Sequence, residues 1–238
     1  MKTAGCGGGN TVGRFAIIPA LLAFPLALCS VNCAAAPVEH QVEKMSTGYT
    51  FTEGPVWTPW GTLLFSDIPE NRIYEIGEEA NVYREPSGNA NGLTFDLQGR
   101  LLACEHGNRR VTRTEKDGTC TVMAERYEGK RLNSPNDVVV RSDGSIYFTD
   151  PPYGVAEDKR ELGFQGVYRV TPQGKLELLV KDFDKPNGLC FSPDEKLLYI
   201  ADSSDLRHIR VFRVAEDGSL SGGEVFAKVS ERGAPDGM

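Results

Sequence analysis

The chain repeats itself, and the repeat sets what it can fold into. Phe51–Asp67 (FTEGPVWTPWGTLLFSD), Asn91–Glu105 (NGLTFDLQGRLLACE), Asn136–Asp150 (NDVVVRSDGSIYFTD) and Asn187–Asp202 (NGLCFSPDEKLLYIAD) follow one plan, which Asp236-Gly237-Met238 begins again. Each unit opens on a side chain carrying an oxygen donor, alternates apolar residues, turns on a polar or glycine-containing step, and runs apolar once more. The openers Glu53, Asn91, Asn136, Asn187 and Asp236 are separated by 38, 45, 51 and 49 residues. Units of this length built from short strands have the form of β-propeller blades. Such repeats place equivalent positions around one axis, so the five openers are expected to converge.

Alternation with a period of two, β-branched and aromatic residues, and turn punctuation predict four strands per unit. The first unit is expected at Thr52–Asp67, Arg72–Ile76 and Ala80–Tyr83. The second comprises Gly92–Asp96, Arg100–Cys104, Arg109–Thr114 and Thr119–Ala124. The third comprises Val138–Val140, Ser145–Thr149, Gly166–Thr171 and Leu176–Lys181, with a longer polar insertion, Pro151–Phe164, placed to overhang the axis. The fourth comprises Gly188–Phe191, Leu197–Ala201, Ile209–Arg213 and a last segment around Glu224–Val229. No stretch has helical periodicity, so the fold class is all-β. Four blades and a stub do not close a ring, which predicts a six-bladed propeller truncated after about four blades.

The first 36 residues differ from the rest. Lys2 and Arg14 precede the apolar run Phe15–Leu28, and small residues Ala34-Ala35-Ala36 follow. This is the plan of a signal peptide over residues 1–36, with residues 37–238 as the propeller domain, and it predicts a secreted or periplasmic protein. Pro19 and Pro25 break the run, which is too short for a good membrane span. Lipid attachment at Cys29 is the lesser alternative, because Leu28 is a poor small-residue neighbour. The leader Pro37–Tyr49 is expected as an outer strand of the last blade. Of six cysteines, Cys104, Cys120 and Cys190 would remain after cleavage, an odd number that reads as free buried thiols, although Cys104 and Cys120 are a conceivable pair. A net charge of −7 with no basic stretch argues against a nucleic-acid partner.

Glu, Asn and Asp oxygens are hard ligands. They suit Ca2+, or Mg2+ and Mn2+, and lack the imidazole and thiolate that Zn2+ prefers. A single Asn-Gly or Asp-Gly pair is only a turn former; five in register point to a cation held by Glu53, Asn136, Asn187 and Asp236. A second column, Asp67, Glu105, Asp150 and Asp202, lies 14, 14, 14 and 15 residues after its openers. These carboxylates read as caps on backbone N–H groups of the tight turns, with Glu105 the least regular. His106 is a candidate substrate contact or proton shuttle, and no GxSxG nucleophile elbow accompanies it. Asn108, Arg109 and Tyr153 read as turn or solvated residues, and Arg109-Arg110 as a charged surface face.

The runs FTEGPVW, ANGLTFD, ACEHGNRRVTR, RLNSPNDVVV, IYFTDPPYG, KPNGLCFSPDEK and GAPDGM resemble the gluconolactonase branch of the senescence-marker-protein/gluconolactonase/luciferin-regenerating-enzyme superfamily. The resemblance covers nearly everything from Val42 to Met238. It implies a six-bladed propeller with a divalent ion held by Glu53, Asn187 and Asp236. It also implies Asn136 as a contact to substrate or to a water on the ion, and Asp236 as proton donor and acceptor. The regucalcin-like branch carries an Arg where this chain has Ser134. The expected function is hydrolysis of a small sugar lactone with Asp236 catalytic and Asn136, Asn91 and His106 binding substrate. The alternatives are a non-catalytic propeller stapled by calcium, or a paraoxonase-like esterase or phosphotriesterase.

Overall fold

A computed structural model of the chain describes residues 42–229 and 233–238. The expected signal peptide lies outside the described residues. So does the start of the leader; residues 42–49 carry no strand, so the expected outer strand is not found there. Asp67 accepts the N–H groups of Thr50 (2.8 Å) and Phe51 (3.1 Å) and turns the chain directly into the first blade.

Four four-stranded antiparallel sheets follow, each in sequential strand order. The first contains β1 (Thr52–Trp57), β2 (Leu63–Asp67), β3 (Arg72–Ile76) and β4 (Ala80–Arg84). The second contains β5 (Ala90–Phe95), β6 (Leu101–Glu105), β7 (Arg110–Thr114) and β8 (Cys120–Ala124). A short hairpin, β9 (Arg126–Tyr127) and β10 (Lys130–Arg131), then leads onward. The third blade contains β11 (Val138–Val140), β12 (Ile146–Asp150), β13 (Gln165–Val170) and β14 (Leu176–Phe183). The fourth contains β15 (Pro186–Phe191), β16 (Leu197–Asp202), β17 (His208–Val214) and β18 (Leu220–Lys228). The protein is an all-β propeller, and the only helical turn among the described residues is a 3-10 turn at Glu157–Lys159.

Most strands lie where the alternation puts them. β18 begins earlier than expected because Gly222 and Gly223, both at positive φ, accompany a register shift against β17. The two glycines form a bulge inside the strand.

Side chains that alternate along each inner strand pair fill the gaps between blades. Leu101 and Ala103 face the first blade with Leu64, Ile73, Ala90 and Leu93. Leu102 and Cys104 face the third, against Val138, Ile146, Phe148 and Tyr168. Tyr147 turns the other way and packs with Val167, Leu189, Leu198 and Ile200 beside the fourth blade. The hydrophobic core is therefore a series of sandwiches between neighbours. The cysteines are free: Cys104 is buried, Cys190 half-buried, and Cys120 is exposed on β8, contrary to the expectation of burial. Cys120 sits on the outermost strand of its blade, which has no covering sheet.

Candidate active site

The inner strand of each blade starts at the axis, and the opener is its axial residue. Glu53 is on β1, Asn91 on β5, Asn136 just before β11, Asn187 on β15, and Asp236 on the closing segment. All five line one cavity of about 410 Å³, together with Phe51, Ile68, Pro69, His106, Tyr153 and Ser203. Glu53, Asn91, Asn136 and Asn187 also line a second cavity of about 480 Å³ that runs between the inner strands. These four residues thus form a waist between an outer mouth and an inner channel. The side chains of Asn91, Asn136 and Asn187 are nearly buried there, at 5%, 5% and 6% exposure.

Hydrogen bonds from one blade to backbone carbonyls of the next set this convergence. Ser66 Oγ donates to the Asn91 carbonyl (2.8 Å), Gly92 N–H to the Asn136 carbonyl (2.8 Å), and Thr149 Oγ1 to the Asn187 carbonyl (2.8 Å). Ser203 Oγ donates to the Pro235 carbonyl and holds the closing segment. Glycine is required after most openers because the next blade comes so close. A Cβ on Gly54 would lie 2.2 Å from the Asn91 carbonyl oxygen, and one on Gly188 would lie 2.2 Å from that of Asp236.

Asp137 breaks this pattern, and sequence reasoning passed over it. It stands where the four other units have glycine, accepts the N–H of Val138 (2.9 Å) and of Leu189 (3.2 Å), and lines the channel. Burial, with Glu53 and Asp236 nearby, pushes its carboxyl up to about 6. Burial and then Asp236 likewise push Glu53 upward. Three carboxylates thus meet three amides, and neither cavity is lined by a lysine or arginine. Among the described residues no group of three or more His, Cys, Asp and Glu is arranged to hold a metal, so any ion here depends on the asparagine amides. The donor set fits a hard divalent cation and does not fit Zn2+.

His106 is almost buried, and burial lowers its pKa to about 4, which keeps the ring neutral. Its Nε2 accepts a hydrogen bond from Asn91 Nδ2 at 3.2 Å, which turns the Asn91 oxygen away from the ring. His106 thus orients the Asn91 amide at the mouth of the site. Arg109 departs from the surface face expected of it. At positive φ it turns inward, donating from Nε to the carbonyls of Leu132 (2.7 Å) and Asn133 (3.1 Å) and from Nη1 to that of Lys159 (3.1 Å).

The second column behaves as turn caps. Asp150 accepts Asn133 N–H (2.8 Å), and Asp202 accepts the N–H groups of Asp184, Lys185 and Ser204. Glu105 is the exception, binding side chains instead: Arg84, Asn108 (2.6 Å), Arg110 (2.7 Å) and Thr112 (2.8 Å). Burial pushes its carboxyl up, but these four donors together hold it below the usual range.

Radial four-stranded blades whose inner strands each deliver an oxygen side chain to a shared axis define a β-propeller with an axial oxygen-donor centre. The chain belongs to the SMP-30/Gluconolactonase/LRE-like region family, whose model matches residues 51–238. It is 35% identical over 187 residues to a gluconolactonase of Zymomonas mobilis, covering 70% of this chain and 52% of that protein. A solved gluconolactonase structure from Xanthomonas campestris is 40% identical with a TM-score of 0.74, covering 79% of this chain and 66% of that one. Regucalcin from Agrobacterium tumefaciens, at 24% identity and a TM-score of 0.60 over 76% of this chain and 60% of that one, shares the fold. The chain spans about half the length of the curated relatives it matches.

Proposed function

We propose that this protein is a divalent-cation-dependent hydrolase of a small sugar lactone. The observation that carries the reading is the convergence of Glu53, Asn91, Asn136, Asn187 and Asp236 on one cavity with no lysine or arginine in its lining. Glu53, Asn136, Asn187 and Asp236 would hold the ion, Ca2+ by preference and Mg2+ or Mn2+ next. Bound there, the ion supplies positive charge that polarises a lactone carbonyl. Asp236 takes the proton of the attacking water and returns it to the leaving alkoxide. Asn136 and Asn91 orient the lactone, and His106 fixes the Asn91 amide. The match to a gluconolactonase at 35% identity supports the substrate class. The amino-terminal segment supports export to a secreted or periplasmic location; among the described residues no helix is long and apolar enough to cross a membrane.

A pH-indicator assay with gluconolactone tests the reading. Acid release that stops on chelation, and falls at least ~100-fold in Asp236→Ala, is the expected result. Undiminished release in both conditions overturns the mechanism. Loss of thermal stability on chelation with no acid release at any metal concentration would identify a stapled binding propeller instead.

A further inference from the structure

The insertion between β12 and β13 reaches the mouth of the site, and its placement is fixed. Asn133 Nδ2 donates to the carbonyls of Asp150 (3.3 Å) and Phe164 (3.0 Å), joining the two ends of the insertion. Ser134, fully buried, donates from N–H (3.1 Å) and Oγ (2.7 Å) to the Pro151 carbonyl and accepts the N–H of Gly154 (2.8 Å). Gly154 itself is pressed against the site, since a Cβ there would lie 3.0 Å from the Cβ atoms of both His106 and Ser134. Arg109 and Glu161 fasten the remainder, through the Lys159 carbonyl and the Arg131 N–H.

Residue 153 lies between two of these pins. Tyr153 is 45% exposed and lines the mouth with all five axial residues and Ser203. Ser134 spends its hydroxyl on the loop and is too buried to reach a ligand. The mouth combines carboxamides, a serine hydroxyl and this phenol with the apolar surfaces of Phe51, Ile68 and Pro69. Groups that both donate and accept suit a ligand rich in hydroxyls, and the apolar surfaces suit its C–H face.

Resting on the lactone-hydrolase reading, we propose that Tyr153 is a specificity-determining residue, whose phenol hydrogen-bonds a hydroxyl of a polyhydroxylated lactone while its ring covers that lactone at the mouth. Ser134 is the positioning residue that aims it.

The test is steady-state kinetics of the Ca2+-loaded protein on D-glucono-1,5-lactone and on δ-valerolactone, which has the same ring and no hydroxyls. Loss of one such hydrogen bond is a ~3- to 10-fold effect. Tyr153→Phe is therefore expected to lower the ratio of kcat/KM for gluconolactone over valerolactone ~3- to 10-fold, through KM more than kcat. Ser134→Ala should shift the ratio in the same direction, with a melting temperature near wild type for Tyr153→Phe. A Tyr153→Phe variant that lowers both substrates equally, or neither, overturns the assignment while leaving the lactonase reading intact. Wild-type protein that turns over neither lactone overturns both.

Discussion

Asp150 shows how one side chain ties stability to pH. It is fully buried at the end of β12; Asn133 N–H meets one oxygen, while Asp150 Oδ1 and Asn133 Oδ1 have no hydrogen-bond partner among the described residues. Burial pushes its carboxyl up to about 7, above the ordinary value near ~4. The neutral acid is therefore the form the fold prefers. Its contribution is complete below pH ~4 and is lost as pH rises through about 7. Asp150→Asn, which keeps an acceptor and adds a donor without charge, should raise the melting temperature by ~2–4 °C at pH 9 relative to its effect at pH 5. Calorimetry at both values checks this; an equal effect at both pH values would mean the residue does not titrate in the fold. At the axis, Glu53→Gln removes one negative charge from the donor set. Ca2+ affinity measured by titration calorimetry should fall at least ~10-fold, with the fold unchanged by circular dichroism.

At the scale of elements, two kinds of glycine can be separated by experiment. Gly188 is confined by space, its missing Cβ being 2.2 Å from the Asp236 carbonyl oxygen. Gly174 is confined by its φ of 81° in an open turn. Gly188→Ala should push the closing segment off the axis and weaken both Ca2+ binding and turnover. Gly174→Ala should cost ~1 kcal/mol of stability from backbone strain and leave Ca2+ affinity alone. Equal Ca2+ affinity in the two variants would disprove the spatial argument. The elements were legible in the sequence because alternation and turn chemistry recur in every blade. The β9–β10 hairpin and the start of β18 were not, since two-residue strands and a bulged Gly222-Gly223 carry no periodic signal. The axial openers were legible for the same reason as the blades. Asp137, Tyr153 and Ser203 were not, because each occurs once and reaches the site only through the packing of one blade on another.

Across the whole molecule, the apolar contacts lie between adjacent blades, and the axial centre is where the blades also meet through polar groups. An ion that binds the folded protein and not the unfolded chain stabilises it by about 2.7 kcal/mol at a hundredfold excess over Kd. Chelation should accordingly lower the melting temperature by ~5–10 °C, recovered on adding Ca2+. A melting temperature indifferent to chelator would show that the centre does not hold the blades together. Four of the contacts that align the openers run one way. Ser66 reaches to Asn91, Gly92 to Asn136, Thr149 to Asn187 and Ser203 to Pro235, always from a unit to its successor. A unit therefore carries the clasp for its neighbour and relies on its predecessor for its own. Swapping a single unit between homologues would import a foreign handle and leave the recipient's axial residue unheld, so chimaeras that exchange neighbouring units together should keep more of these clasps intact.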